Sequence, residues 1–419
     1  MTTPSPTDPQ HLNQELAHVL GQPVLEPQHH TDLGNAFRLV ALHGEDFRNC
    51  VDRLFFWMES RWVPEVPGAM HRFAKDVILS LYNDAALLQG EAATSADLTP
   101  EERIQLSKRA EATAKWARTS ENQARINAMI GLAKEEGQVQ IDVKAWDLDQ
   151  WLLNTPSGTL DLRTTTLRPH DRADFITMIT AAAYNPEAGY IPWDDFLNRI
   201  MPDESLRFYL QRALGYSITG MTTEEKLFMP WGPPATGKST LLRAVATCLG
   251  DYAAVVGGDT FAEQKADGNA PRNDIARLFG KRFVLAMELP GNQRLATGLL
   301  QRMTGGDVMV ARFNYQEFFE FVSSAKAWLT SNSRPIIPDN EPGMWRRVSQ
   351  IPFMVVIPEA ERDPGLKLAL LDLYTGSEAV LRWLVEGSGI WRQVGLGAPL
   401  VVQEASAAYR RDMDRLAEF

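Results

Sequence analysis

Eight consecutive residues, Gly232-Pro233-Pro234-Ala235-Thr236-Gly237-Lys238-Ser239, spell the pattern G-x-x-x-x-G-K-[ST]. An apolar run, Leu227-Phe228-Met229, leads into them, and a helix-forming stretch from Thr240 to Leu249 follows. Strand, glycine-bearing turn and helix in that order form a phosphate loop. Gly232 and Gly237 permit dihedrals that turn successive N–H groups inward around an anion, at a helix N-terminus whose dipole also favours negative charge. Lys238 is then placed to reach the β and γ phosphates of a nucleoside triphosphate, and the Ser239 hydroxyl to ligate the accompanying Mg²⁺. The expected nucleotide-binding set is Gly232, Pro233, Pro234, Ala235, Thr236, Gly237, Lys238, Ser239 and Thr240. Pro230 removes a ladder donor, but at the end of the strand that loss is tolerable.

A chain of 419 residues has room for two to three domains with well-buried cores. Its net charge of −11 lacks the basic footprint of a non-specific nucleic-acid coat, so any nucleic-acid contact must be local. Cys50 and Cys248 are the only cysteines, and their separation argues against a zinc site or a disulfide framework. The expected compartment is a reducing cytoplasm. No apolar run approaches the ~18 residues that span a bilayer, and Met1 to Gln10 lacks a signal-peptide layout, so no membrane partner is expected.

Along the chain, residues 1–30 read as a flexible lead-in. Residues 31–190 read as an accessory domain, helical with short strands. The aromatic segment Leu54 to Val63 suits a short hairpin or a strand, and apolar periodicity predicts helix from Ala69 to Leu88. Thr99-Pro100-Glu101-Glu102 is a capping box with proline at the first helical position, starting a helix that could run to Gly137. Lys108, Arg109, Lys115, Arg118 and Arg125 interleave with Trp116 on it, but Glu101, Glu111 and Glu121 are mixed in, which favours a solvated face over a nucleic-acid surface. Turn chemistry dominates residues 146–190.

Residues 191–390 read as the core, with 391–419 as a C-terminal helical segment. The core's later strands are Arg282 to Glu288 and Ala325 to Asn332, and strands separated by helices predict an α/β fold around a largely parallel sheet. Glu288, at the carboxyl end of its strand, is placed to hold Mg²⁺ through water or to orient the attacking water; Asn332 ends the next strand in the same fashion. Arg346 and Arg347 follow a Pro/Asp/Asn-rich turn and suit an arginine finger reaching a phosphate on a neighbouring subunit. Lys238, Glu288, Asn332, Arg346 and Arg347 are thus the candidate catalytic residues, with Ser239 and Glu288 at the metal.

Phosphate loop, strand ending in Glu288, Thr304-Gly305-Gly306-Asp307, Ala311-Arg312, Phe321 to Lys326, Asn332, Pro335 and Trp345-Arg346-Arg347 occur here in the order found in superfamily 3 helicases. More narrowly, the chain resembles the phage and plasmid primase–helicases related to the poxvirus replication ATPase. The likeness extends through Asn154, Gly158, Pro169-His170 and Pro192-Trp193, and covers roughly nine-tenths of the chain. It implies an AAA+-type P-loop ATPase core behind a mostly helical accessory domain. It also implies ATP and Mg²⁺ as cofactors, and a homo-hexameric ring translocating on single-stranded DNA, typically 3′ to 5′, in replication of a mobile element. A separate primase or polymerase is an implied partner. By the same likeness, Phe313 to Lys326 corresponds to a central-pore hairpin, so Lys326, with Arg312 second, is expected on the DNA phosphate backbone.

The chain departs from that pattern in three places. Met287 precedes Glu288 where many relatives have a second acid, which leaves open whether Glu288 serves the metal, the water or both. Ser323 stands where proline is common. No Asp-x-Asp pair sits in a strand context to mark a primase polymerase region, and relatives continue past the position of Phe419 into a small winged-helix domain. Two rival functions use the same loop: an ATP-dependent replication initiator or loader that remodels DNA without processive unwinding, and a small-molecule kinase. The kinase reading lacks an arginine-rich lid.

Overall fold

The computed structural model describes residues 29–263, 273–287, 293–311, 319–337, 341–372 and 376–417. The chain divides into two compact units, one ending at Trp146 and the other built from residues 147 onward with Glu59–Arg61. Residues 147–190, expected in the accessory domain, therefore pack with the core. The reason is visible in its hydrophobic cluster, where Leu153, Leu160, Leu162 and Ala182 join the side chains of the large sheet.

In the first unit α1 (Asp32–His43) is capped by the Thr31 hydroxyl, which accepts from the Gly34 N–H at 2.9 Å. β1 (Phe47–Cys50), β2 (Arg53–Trp57) and β3 (Trp62–Pro64) form an antiparallel meander, so the aromatic segment is a hairpin. Val51 and Asp52, both at positive φ, make its first two-residue turn. α2 spans Ala69–Thr94 and α3 spans Pro100–Ser120, the latter with the expected capping box between Thr99 and Glu102. The helix expected to reach Gly137 breaks at Glu121–Asn122, because the Asn122 carboxamide accepts from the Ala124 N–H and starts α4 (Gln123–Lys134). Ala36, Leu39, Phe47, Phe56, Ala74, Val77 and Met129 fill the core of this unit.

The second unit opens with a small meander of β4 (Leu152–Thr155), β5 (Gly158–Asp161) and β6 (Thr166–Arg168). Helices α5 (Ile191–Ile200) and α6 (Glu204–Ser217) lead to β7 (Leu227–Trp231), and α7 (Lys238–Leu249) leads on to β8 (Ala253–Gly257). Further on come α8 (Asn273–Ala276), β9 (Phe283–Met287), α9 (Thr297–Gly305), the hairpin β10 (Val308–Ala311) and β11 (Phe319–Val322), and β12 (Lys326–Thr330). α10 (Pro342–Trp345), β13 (Val348–Pro352), α11 (Pro364–Leu371), α12 (Ser377–Val394) and α13 (Leu400–Ala417) complete the chain.

Five strands form one parallel sheet in the order β13-β7-β12-β9-β8. Period-two alternation sends Phe228, Phe283, Leu285, Trp328 and Ile351 to one face, and Leu227, Met229, Val284, Ala286, Ala327 and Leu329 to the other. Both faces are buried, as a helix-covered parallel sheet requires. The expected boundary at 390 falls inside α12, and α13 is part of the core rather than an appendage: Tyr409 and Met413 are buried in its second cluster, and the Ser406 hydroxyl accepts from the Gln350 N–H at 2.9 Å.

Candidate nucleotide site

Between the end of β7 at Trp231 and the start of α7 at Lys238, the chain makes a tight loop at the carboxyl edge of the sheet. Gly232 has φ +151, and a Cβ there would stand 2.0 Å from the Phe353 carbonyl oxygen. Gly237 has φ +81, and its Cβ would stand 2.5 Å from Cγ2 of Ile200. Both positions thus require glycine for space as well as for dihedral. Ala235 takes a left-handed φ of +61, held by the Ile357 N–H donating to its carbonyl at 2.9 Å. A second backbone bond, Phe353 N–H to Trp231 carbonyl at 2.7 Å, carries β13 past the sheet edge and along the loop.

Lys238 is buried within the loop it closes. Its ammonium donates to the carbonyls of Gly232 and Pro233, at 2.8 Å each, and to the Thr236 hydroxyl at 3.0 Å. Burial pushes its pKa below the usual lysine value. An ammonium has three donors, and each here finds a neutral oxygen that a phosphate oxygen would outbid. Gly237, the N-cap of α7, has no side chain to cap the first-turn N–H groups, which therefore remain suited to an anion, and Ser239 lies exposed beside them. The cradle and its donors fit a triphosphate, with Ser239 as the hydroxyl that would hold Mg²⁺.

The β7–β12 pairing brings Asn332 alongside. Ser331 bridges to Trp231, so the exposed Asn332, just past the end of β12, stands level with the start of the loop. Met287, the last residue of β9, pairs with Thr330 at the same edge. Glu288 and Arg312 lie outside the described residues. Sequence reasoning missed Arg334, whose guanidinium lies 4.3 Å from the Trp231 ring and donates to Gln350 at 2.7 Å. It also missed the backbone clamp from Phe353 and Ile357, which has no side-chain signature.

Two expectations need correction. Lys326 does not present its ammonium to a DNA backbone: it is 2% exposed, and Nζ donates to the carbonyls of Thr219 and Ser324 with the Tyr216 ring 5.3 Å away. As the first residue of β12 it aims its chain under the sheet, where burial and the neighbouring Arg282 hold its pKa well below the lysine value. The adjacent arginines also differ. Arg347 is buried, its Nε donating to the Thr304 hydroxyl at 3.1 Å and its Nη1 to the Gly343 carbonyl at 2.7 Å, whereas Arg346 is 65% exposed. Arg347 is thus tethered within its own subunit, and of the two only Arg346 presents its guanidinium at the surface.

Both arginines lie at the amino edge of the sheet. The Arg347 carbonyl accepts from the N–H of Leu227, the first residue of β7, while the loop begins after the last. About 13 Å of strand separates them, beyond an arginine's reach to its own loop.

The fold and site define a mixed α/β protein with a parallel sheet, a helical N-terminal region and a lysine-closed glycine loop. Residues 36–202 match the family described as "D5 N terminal like", and residues 231–347 match a family of unknown function, DUF5906. The two matches lie in the order expected of the primase–helicases that the sequence resembles.

The chain is 26% identical over 310 residues to "Putative helicase L207/L206" of Acanthamoeba polyphaga mimivirus, covering 69% of this chain and 32% of that protein. It is 27% identical over 215 residues to "Putative primase C962R" of African swine fever virus, covering 49% of this chain and 22% of that protein. A third likeness, 25% over 169 residues, is to ATPase family gene 2 protein homolog B of Rattus norvegicus, covering 35% of this chain and 22% of that protein. The chain thus spans a third or less of the length of these relatives. Among solved structures, the A-form apo structure of the NrS-1 C-terminal region shares the fold, with a TM-score of 0.51 at 10% identity over 89% of this chain and 73% of that one. No helix among the described residues is long and apolar enough to cross a membrane.

Proposed function

We propose that this chain is an ATP-dependent DNA helicase with an AAA+-type P-loop core, which hydrolyses ATP at the Gly232–Thr240 loop and translocates on single-stranded DNA as a homo-hexameric ring. The observation that carries the reading is the loop's position. β7 lies between β13 and β12, while α7 carries the chain from β7 to β8 at the far edge, so the loop opens at the carboxyl-end switch point where α/β sheets bind ligands. The relatives named as helicase and primase support a part in replication of a phage, plasmid or other mobile element.

Each residue then has a task. Lys238 exchanges its loop oxygens for the β and γ phosphates, and Ser239 holds Mg²⁺. Mg²⁺ held there would supply positive charge against the charge that develops on the phosphates. Asn332 orients the attacking water, and Glu288 takes its proton or holds the metal through water. Arg346, remote from its own loop and exposed, reaches the triphosphate of the next subunit. A separate primase or polymerase would act on the strand so released.

Strand displacement on forked DNA by wild type and Lys238→Ala tests the proposal. Unwinding that disappears with the lysine supports it. ATP-dependent DNA binding without unwinding identifies an initiator or loader, and ATP turnover indifferent to DNA overturns both.

A further inference from the structure

Glu225 occupies the turn before β7, at φ +48. Its Oε2 accepts from Nη2 of Arg346 and forms an ion pair with Nη2 of Arg347, each at 2.9 Å. The two partners hold that carboxylate unequally. Arg347 is fixed by Thr304 and Gly343 and cannot follow a moving partner, so the carboxylate stays with it. Arg346 has a fixed backbone, because the Lys226 ammonium donates to its carbonyl at 2.7 Å, but its guanidinium lies at the surface. The geometry is a stationary acid beside one stationary and one releasable base.

We propose that Glu225 is a positioning residue, a latch that keeps the Arg346 guanidinium at home until the triphosphate of a neighbouring subunit competes for it. The proposal rests on the reading of Arg346 as a finger acting in trans. The competing ligand is a polyphosphate, which offers more charge and more acceptor oxygens than one shared carboxylate. The ion pair is exposed, so its hold on Arg346 is weak and screened by salt. Such a latch changes how often the finger is available by about fivefold at most.

The test is steady-state ATP hydrolysis by the full chain at a concentration where it assembles. Glu225→Asp withdraws the carboxylate by one methylene from both arginines, of which Arg347 is still held by Thr304 and Gly343, and suits the left-handed backbone. It should raise kcat about twofold to fivefold at low salt, leave KM for ATP unchanged, and lose the advantage at about 0.5 M salt. Glu225→Gln should do the same, and either variant carries the test if the other fails to fold. In an Arg346→Ala background neither should raise turnover. A fully active Arg346→Ala overturns the finger reading itself. An inactive Arg346→Ala beside a Glu225→Asp of wild-type kcat overturns the latch alone, as does a folded Glu225→Asp with reduced kcat.

Discussion

The Ile357 N–H donates to the Ala235 carbonyl at 2.9 Å, tying the chain that leaves the edge strand β13 to the middle of the phosphate loop. Together with the Gly232–Phe353 approach, this bond makes loop shape a property of β13 as much as of the loop sequence. The other end of β13 begins at Arg346 and Arg347. One strand therefore connects the loop to the pair Arg346 and Arg347.

Gly232→Ala tests the clamp. The new methyl group meets the Phe353 carbonyl oxygen at 2.0 Å at a φ that L-residues avoid, so loop and strand must separate. Stability should fall by about 1–3 kcal/mol, and nucleotide binding should fall with it. Thermal melting with and without ATP reads both. A variant that melts and binds like wild type would show that the clamp does not shape the loop.

Lys326 supplies a pH prediction. Its folded-state pKa is depressed, so between that value and the unfolded lysine value of about 10.4 the unfolded chain binds a proton that the native chain lacks. Stability attributable to this group therefore rises with pH across that window, by up to about 1.4 kcal/mol per pH unit, and its penalty is fully present below it. Lys326→Met should flatten the rise by one group's worth, though Lys226, Lys238 and Lys281, also depressed by burial, keep part of it. Chemical denaturation from pH 7 to alkaline pH measures the slope; equal slopes in variant and wild type would mean that Lys326 is hydrated in solution.

The loop was legible because its constraints are local: two glycines, a lysine and a flanking strand and helix within a dozen residues. The strands around Phe283 and Trp328 were legible from their apolar runs, but their order was not, since parallel neighbours are set by long crossovers rather than by adjacent sequence. Lys326 was expected on DNA by likeness to a pore hairpin, and that likeness does not say which way its ammonium turns. Nothing within a few residues announces the Thr219 carbonyl, 107 positions earlier, that receives it. The sequence did not separate the two arginines for a similar reason: neighbouring positions point to different surroundings, and which one turns inward depends on Thr304.

Hydrolysis should separate from binding along the loop and its neighbours. Lys238→Ala should lose ATP affinity, whereas Glu288→Gln keeps shape but cannot act as a base, and should bind ATP while turning it over at least a hundredfold more slowly. Asn332→Ala, altered beside the loop rather than in it, should lower kcat with little change in KM. Pre-steady-state turnover and equilibrium ATP binding distinguish these effects. Turnover within a few-fold of wild type in Glu288→Gln would assign the base elsewhere.

Assembly gives the sharpest separation between a ring ATPase and a self-contained kinase. Arg346 lies at the opposite sheet edge from its own loop, so if it acts on a triphosphate it acts across a head-to-tail contact, and such contacts must close into a ring or propagate as a filament. Arg346→Ala should bind ATP and hydrolyse it poorly, and Lys238→Ala should do neither. Mixed, the two should recover turnover, because the arginine variant contributes an intact loop at the same junction where the lysine variant contributes an intact finger. A finger is worth about 10³-fold or more in rate, so even a minority of such junctions rises above background. Co-assembled variants that stay inactive would remove the trans assignment, as would a wild-type rate per subunit that persists unchanged on dilution to the monomer.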